Sequence, residues 1–348
     1  MNRMMNVNRF HFLCLVAAIF STYSYAEFDD GLAAYKRQDY QTALQEWRPL
    51  ANQGDASAQN YLGLMYRDGL GVTQNDGEAL IWFRKSANQG NAYGQNKLGL
   101  MHHNGRGVIK NNVEALKWFR KAAAQGYAPA QFSIGYMYEG GRGVAQSDKQ
   151  AFAWYRKAAD QGDAAAQYCL GRMYAEGRVV MRNDAEAENW YRKAADQGHS
   201  GAQSSLKEMG ESKALTNLRE TAEQGDPAAQ YALGQAYYWG KGVPRNIAET
   251  KKWYRKAAEQ GNVQAQKKLG FIYGTVSPQD HFEEEKWWRK AAEQGDSEAQ
   301  FYLGTMYRYE NTGVVANYSE AMRWFRKAAE QGHPEAQLQI QQLQNRIK

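Results

Sequence analysis

The sequence predicts an all-α protein, an α/α solenoid of stacked helix pairs, and three observations carry that prediction. First, a five-residue segment keeps returning, as AADQG at 158–162 and 194–198 and as AAEQG at 257–261, 291–295 and 328–332. Aligned on its glycine, the chain gives Gly54, Gly90, Gly126, Gly162, Gly198, Gly225, Gly261, Gly295 and Gly332, with gaps of 36, 36, 36, 36, 27, 36, 34 and 37. A fixed period of about 20–50 residues marks a repeat array. Second, each period holds two helical patterns separated by a glycine-containing break. Third, residues that start and stop helices stand at both ends of each pattern.

The first 26 residues stand apart from this scheme. Arg3 and Arg9 precede the apolar run FHFLCLVAAIF, which is followed by STYSYA. A positive start, a short apolar stretch and small residues at Ser24 and Ala26 predict an export signal cleaved after Ala26. The run is shorter than the roughly 20 residues that a membrane span needs, so no integral membrane segment is expected after cleavage. Cys14 lies inside the apolar run and not at the cut, which argues against lipid attachment. Losing Arg3 and Arg9 lowers the formal net charge from +6 to +4. Cys169 is then the one remaining cysteine, so a periplasmic or secreted chain is expected to hold together by packing without an internal disulfide.

The period 55–90 shows how a unit is built. Ala58, Leu62, Gly63 and Tyr66 share one face of a first helix, and Ala79, Trp82, Phe83 and Ala87 share one face of a second. The segment RDGLGV separates them. Helices of about a dozen residues are marginal alone in water, so neighbouring units must stack to bury both faces. The pentapeptide glycine is a natural left-handed stop for the second helix. Asp55, Asn91, Asp163, Asp226, Asn262 and Asp296, each directly after such a glycine, are N-caps for the next first helix. Pro227 and Pro334 fall where a first-turn proline is tolerated. Asn75, Asn111, Ser147, Asn183, Asn246 and Asn317 are caps for second helices, each with Glu or Gln three residues on in the spacing of a capping box. Lys and Arg in segments such as FRKSA and YRKAA favour the dipole of the last turn.

The combined pattern, A-Q-x-x-L-G-x-x-Y-x-x-G-x-G-V followed by A-x-x-W-F/Y-R-K-A-A-x-Q-G, resembles Sel1-like repeats, slightly longer relatives of tetratricopeptide repeats. Trp82, Trp118, Trp154, Trp190, Trp253, Trp287 and Trp324 fall in register. The resemblance implies a right-handed superhelix of helix pairs. Its divisions are an export signal over 1–26, a more tetratricopeptide-like starting unit over 27–54 and four regular units over 55–198. A degenerate short unit over 199–225, three further units over 226–332 and a polar capping helix over 333–348 complete it. The short unit lacks the glycine loop and carries Asn217 in place of tryptophan, so it is expected to bend the array or change its pitch. The unit over 262–295 replaces the loop with GTVSPQD.

Little in the sequence points to catalysis. Gly69/Gly71, Gly105/Gly107 and Gly240/Gly242 follow helices and recur as turns, so they read as connectors and not as phosphate cradles. His102 stands at the tyrosine position of its unit and reads as core, and no ligand partner is spaced for it or for His103. Cys169 has no histidine constellation beside it. Lys and Arg recur once per unit at one helix end, an even spread that does not make a nucleic-acid footprint. The expectation is a protein with no cofactor and no catalytic set. The cysteine-rich members that the resemblance links to β-lactam hydrolysis carry a cysteine pair per repeat, which this chain lacks.

In tetratricopeptide-like arrays the first helices line a concave groove, and the resemblance implies the same here. The positions off the expected core face supply Phe132, Tyr136, Tyr168, Arg172, Tyr231, Tyr238, Trp239, Phe271, Phe301, Arg308 and Tyr309. Tyr, Trp and Arg dominate binding hot spots. The expected function is that of an exported scaffold or adaptor. It would bind a protein or peptide in this groove and regulate or assemble an envelope complex, or engage a host protein if secreted. Leu233, Gly234 and Tyr237 are expected as the buried set beside Tyr238 and Trp239, and Trp154 is expected in the core.

Overall fold

A computed structural model of the chain describes residues 27–275, 280–309 and 315–347. The export signal expected over 1–26 and part of the GTVSPQD segment lie outside the described residues. These fold entirely into helices and turns, with no strand among them. The chain opens with α1 (27–36), α2 (Tyr40–Gln53), α3 (Ala56–Asp68), α4 (Asp76–Asn88), α5 (Ala92–Asn104) and α6 (Asn112–Ala124). Next come α7 (Ala128–Glu139), α8 (Asp148–Asp160), α9 (Ala164–Glu176), α10 (Asp184–Asp196), α11 (Ser200–Glu223) and α12 (Pro227–Trp239). The remainder is α13 (Ile247–Glu259), α14 (Val263–Thr275), α15 (His281–Glu293), α16 (Ser297–Arg308), α17 (Tyr318–Glu330) and α18 (Ala336–Ile347). Two compact bodies part within α11, between Leu206 and Lys207. In each, consecutive helices pack side by side as a solenoid of helix pairs.

The caps explain why every unit repeats the same letters. Asp55 accepts from the Ala58 amide at 2.6 Å and Asn91 from the Gly94 amide at 3.0 Å, opening α3 and α5. Gly90 and Gly126, at φ of 87° and 83°, close the second helices in the left-handed region. The second-helix caps differ from a capping box. Asn75 accepts from the Glu78 amide, but its own amide donates to the Tyr66 carbonyl at 2.8 Å, and Asn246 likewise donates to Tyr237. With the cap amide already satisfied, the third-position glutamate is free for other work. Glu249 and Glu283 accept from the indole N–H of Trp253 and Trp287 at 3.0 and 2.8 Å.

Two ladders run through each body. One is apolar: Met65, Met101, Met137 and Met173 in the first body, and Ala236, Ile272 and Met306 in the second, are buried seven residues into the expected first-helix face. The other is polar, a series of glutamine pairs in which an exposed glutamine donates to a buried one. Gln89, Gln125, Gln161, Gln197, Gln260, Gln294 and Gln331 each donate to the Gln of an Ala-Gln or Gly-Gln pair in the same unit, at 2.7–2.9 Å. Those acceptors in turn donate to the preceding unit, as Gln59 does to the Ala51 carbonyl at 3.0 Å and Gln266 to Ala258 at 2.9 Å. The buried amide is thus satisfied on both sides, and each unit is tied to its predecessor.

The expected second-helix face is buried: Ala79, Trp82, Phe83 and Ala87 all lie in the core. Trp82, Trp190, Trp253, Trp287 and Trp324 are 1–8% exposed, and the ring after the tryptophan is deeper in most units, with Phe83, Phe119, Tyr155, Tyr254 and Phe325 at 0–1%. Each of these last rings faces the glycine of a Leu-Gly or Ile-Gly pair; a Cβ on Gly135 would stand 2.6 Å from the Tyr155 ring. Trp154 itself is only partly buried, with the Lys157 ammonium 4.5 Å from its ring centre. The same lysine cover recurs at 4.0 Å on Trp82 and Trp118. In α12 the buried set is Leu233, Gly234 and Ala236, while Tyr237 is only partly covered.

Candidate functional site

The first helices α7, α9, α12, α14 and α16 carry the expected binding rings, and the structure sorts these into two kinds. Phe132, Tyr168, Tyr231 and Phe301 are half-buried because the core ring of their own unit reaches them. Phe132 lies 5.6 Å from Tyr155, Tyr231 stacks on Tyr254 at 5.4 Å, and Phe301 lies 5.6 Å from Phe325. Tyr168 lies 5.7 Å from Tyr191 and stacks on His199 at 4.6 Å, and His333 stacks on Phe301 at 4.2 Å. The expectation that these positions lie wholly off the core is therefore corrected. They form a second layer over it. Tyr136, Trp239, Phe271 and Tyr309 are the outward kind, 40%, 66%, 44% and 39% exposed.

The two arginines also depart from a free binding role. Arg308 is buried, its guanidinium donating to Gln339 and, at 3.0 Å, to Gln342 on α18. The closing helix occupies it, and it leaves the set of accessible residues. Arg172 pairs with Glu139, which also accepts from Arg178 at 2.9 Å and from the Tyr155 hydroxyl at 2.7 Å. Burial would raise the Glu139 carboxyl, but the Tyr155 hydrogen bond and the two guanidinium charges outweigh it and hold it below the usual range. Around Tyr136, the Arg142 guanidinium lies 3.9 Å over one face and His103 meets it edge-on at 5.9 Å.

The feature that sequence reasoning missed surrounds Trp239. Tyr238 meets it edge-on at 4.8 Å, and the Arg245 guanidinium lies 5.7 Å from the Tyr238 ring. A cleft of about 620 Å³ opens on one side, lined by Glu211, Leu215 and Leu218 of α11, Ala232 and Ala236 of α12, and Lys241. A second of about 470 Å³ opens on the other, lined by Tyr231, Tyr238, Lys268 and Phe271. Asn217 in the tryptophan position and the missing loop were the sequence signals for the first. Tyr302, 44% exposed and stacked on Trp288 at 4.6 Å, was missed because it sits one position beyond the expected stripe.

The chemistry of the isolated reactive groups is muted. Burial pushes the Cys169 thiol up to about 11, so it stays protonated and weakly nucleophilic near neutrality. His102 is buried in α5 and burial lowers its pKa, which keeps the ring neutral. Among the described residues no group of three or more His, Cys, Asp or Glu side chains could hold a metal ion, and no helix is long and apolar enough to cross a membrane.

Comparison with known proteins agrees with the architecture. The Sel1 repeat model matches residues 56–91, 92–127, 128–163, 164–199, 227–262, 263–296 and 297–333. A protective antigen of uropathogenic Escherichia coli strains with an SLR fold is 34% identical, with 96% of this chain and 67% of that one covered, at a TM-score of 0.47. A Sel1 repeat protein from Oxalobacter formigenes is 31% identical over 77% of this chain and 99% of that one, at a TM-score of 0.46. Among curated relatives, DAP3-binding cell death enhancer 1 of Rattus norvegicus is 37% identical over 65 residues, 19% of this chain. The chitin synthase regulator SKT5 of Malassezia restricta is 36% identical over 64 residues, 18% of this chain. The chain spans only 13% and 4% of the lengths of these two proteins.

Proposed function

This chain belongs to the Sel1 repeat family, and on that premise we propose that it is an exported scaffold whose first-helix face binds a protein or peptide partner and thereby assembles or regulates a complex of the cell envelope. The observation that carries this reading is the outward set of rings. Tyr136, Trp239 and Phe271 on first helices, and Tyr309 at the end of a fourth, are 39–66% exposed in four different units. Each is a residue type or size that anchors protein interfaces. Export rests on the leader pattern of residues 1–26.

The test has two parts. N-terminal sequencing of the exported protein should begin at Glu27, and fractionation should place it in the periplasm or the medium. An intact Met1 on exported protein would defeat the cleavage. The chain from Glu27, used as bait with cross-linking in envelope extracts, should retain a partner, and Tyr136→Ala combined with Phe271→Ala should weaken that capture at least tenfold while circular dichroism stays helical. Full-strength capture by the double variant would move the interface to the second-helix face.

A further inference from the structure

We propose that Trp239 and its two flanking clefts are the docking point for an acidic segment of a partner protein that presents a large apolar side chain. This rests on the scaffold reading above and deepens it by naming the place and the chemistry. Geometry comes first. In the regular units the glycine loop seats on the start of the preceding second helix: a Cβ on Gly143 would stand 2.6 Å from the Asn112 carbonyl carbon. At Gly242 there is no such helix start, because α11 runs on without a break. The nearest atom to a Cβ there is the far end of Leu215, at 3.4 Å. The loop therefore stands off α11, and the cleft of about 620 Å³ along Leu215 and Leu218 is the space left behind.

Charge supplies the partner's chemistry. Arg106 holds Asp76 through two bonds of 2.7 and 3.0 Å, and Arg178 holds Asp148, each a loop arginine closing on the preceding second helix. Lys241 stands at the same register, 30 residues after Glu211, but Glu211 is engaged by Lys207 at 3.9 Å. Lys241 lines one cleft and Lys268 the other, with Arg245 over the Tyr238 ring beside them; Glu211 also lines the first cleft, but among the described residues no carboxylate lies within salt-bridge distance of these three cations. An acidic chain neutralises them, and an apolar side chain fills a cleft beside Trp239. A ring 66% exposed between two open clefts fits a chain laid across a ridge, whereas a small-molecule pocket encloses most of its ligand.

The experiment is selection of random dodecapeptides displayed on phage against the chain from Glu27. The expected result is enrichment of sequences with net negative charge around Trp, Phe or Leu. Synthetic copies should lose at least tenfold in affinity with Trp239→Ala and with Lys241→Glu combined with Lys268→Glu, and binding should weaken as salt rises. Lys149→Ala, on an exposed second-helix site, should bind as the parent does, and circular dichroism should be the same for all variants. Enrichment of basic or uncharged sequences, or peptides held equally by Trp239→Ala, would overturn this assignment and leave the scaffold reading standing. No enrichment at all would also overturn it, with the scaffold reading then judged by the cross-linking capture alone.

Discussion

Where α4 begins and where α11 runs through its middle, the same register of the repeat is built in opposite ways. At α4, Asn75 caps the helix, Asp76 takes the bidentate Arg106, and the Gly107 loop lies directly against the Asp76 carbonyl. Along α11, Gly210 sits inside a 24-residue helix, no cap interrupts it, and the following loop meets only the tip of Leu215. A helix start is thus more than a boundary in this array. It is the seat for the next unit's loop, and removing the break opens a cleft and frees a cation at one stroke.

The largest expected effect lies on the regular side. Tyr155→Ala removes a fully buried ring seated on Gly135 and should cost about 3–5 kcal/mol, read as a lowered urea midpoint. Trp154→Ala removes a partly exposed ring covered by a lysine and should cost about 1–2 kcal/mol. Equal losses would mean that the layer next to the core is misassigned. Lys149→Ala should stay within about 0.5 kcal/mol.

Loop seating gives the next comparison. Gly107→Ala adds a Cβ against backbone at φ 66° and should cost about 2–4 kcal/mol, combining steric overlap with the left-handed penalty. Gly242→Ala has φ 69° but would meet only the flexible tip of Leu215 at 3.4 Å, so it should cost only the conformational part, about 1–2 kcal/mol. If the two matched in thermal unfolding, the loop of α12 would be as firmly seated as the others. The smallest difference concerns the glutamines. Gln167→Ala removes the buried amide that accepts from Gln197 and donates to the Ala159 carbonyl; because Gln197 keeps the Lys193 carbonyl and Ala159 keeps the Gly162 amide, it should cost about 1 kcal/mol. Gln203, whose contact to Ala195 is 3.5 Å in an exposed setting, should tolerate Ala within about 0.5 kcal/mol.

Helix ends and unit length were legible in the sequence because caps and left-handed glycines act within a few residues of themselves. Asn75, Gly90 and Asp55 do in space what their spacing says. The buried faces were only partly legible. A period of 3.6 residues admits Met65 to the first-helix face, yet the aromatic Tyr66 drew the assignment one position too far. Phe132 and Tyr168 needed tertiary knowledge, since the rings that cover them come from α8 and α10. Arg308 looked like an accessible hot spot because nothing local to it reveals that α18 returns to take its guanidinium. The cleft at Leu215 follows from a missing signal, and a missing loop does not by itself say what space it leaves.

The glutamine ladder has a consequence for how such a chain can grow. Each rung joins residues of one unit and reaches back a single step, so a unit copied whole carries both halves of its own joint. Duplication or loss of 36 residues would restore an identical seam, and small length changes between the two glutamines are absorbed, since Gln266–Gln294 and Gln300–Gln331 stand 28 and 31 residues apart yet both pair at 2.8 Å. A unit can therefore shorten to 34 residues or lengthen to 37 and keep its joint, whereas the interval of 27 residues before Gly225 sits at the place where the rung from a second-helix glutamine is missing among the described residues.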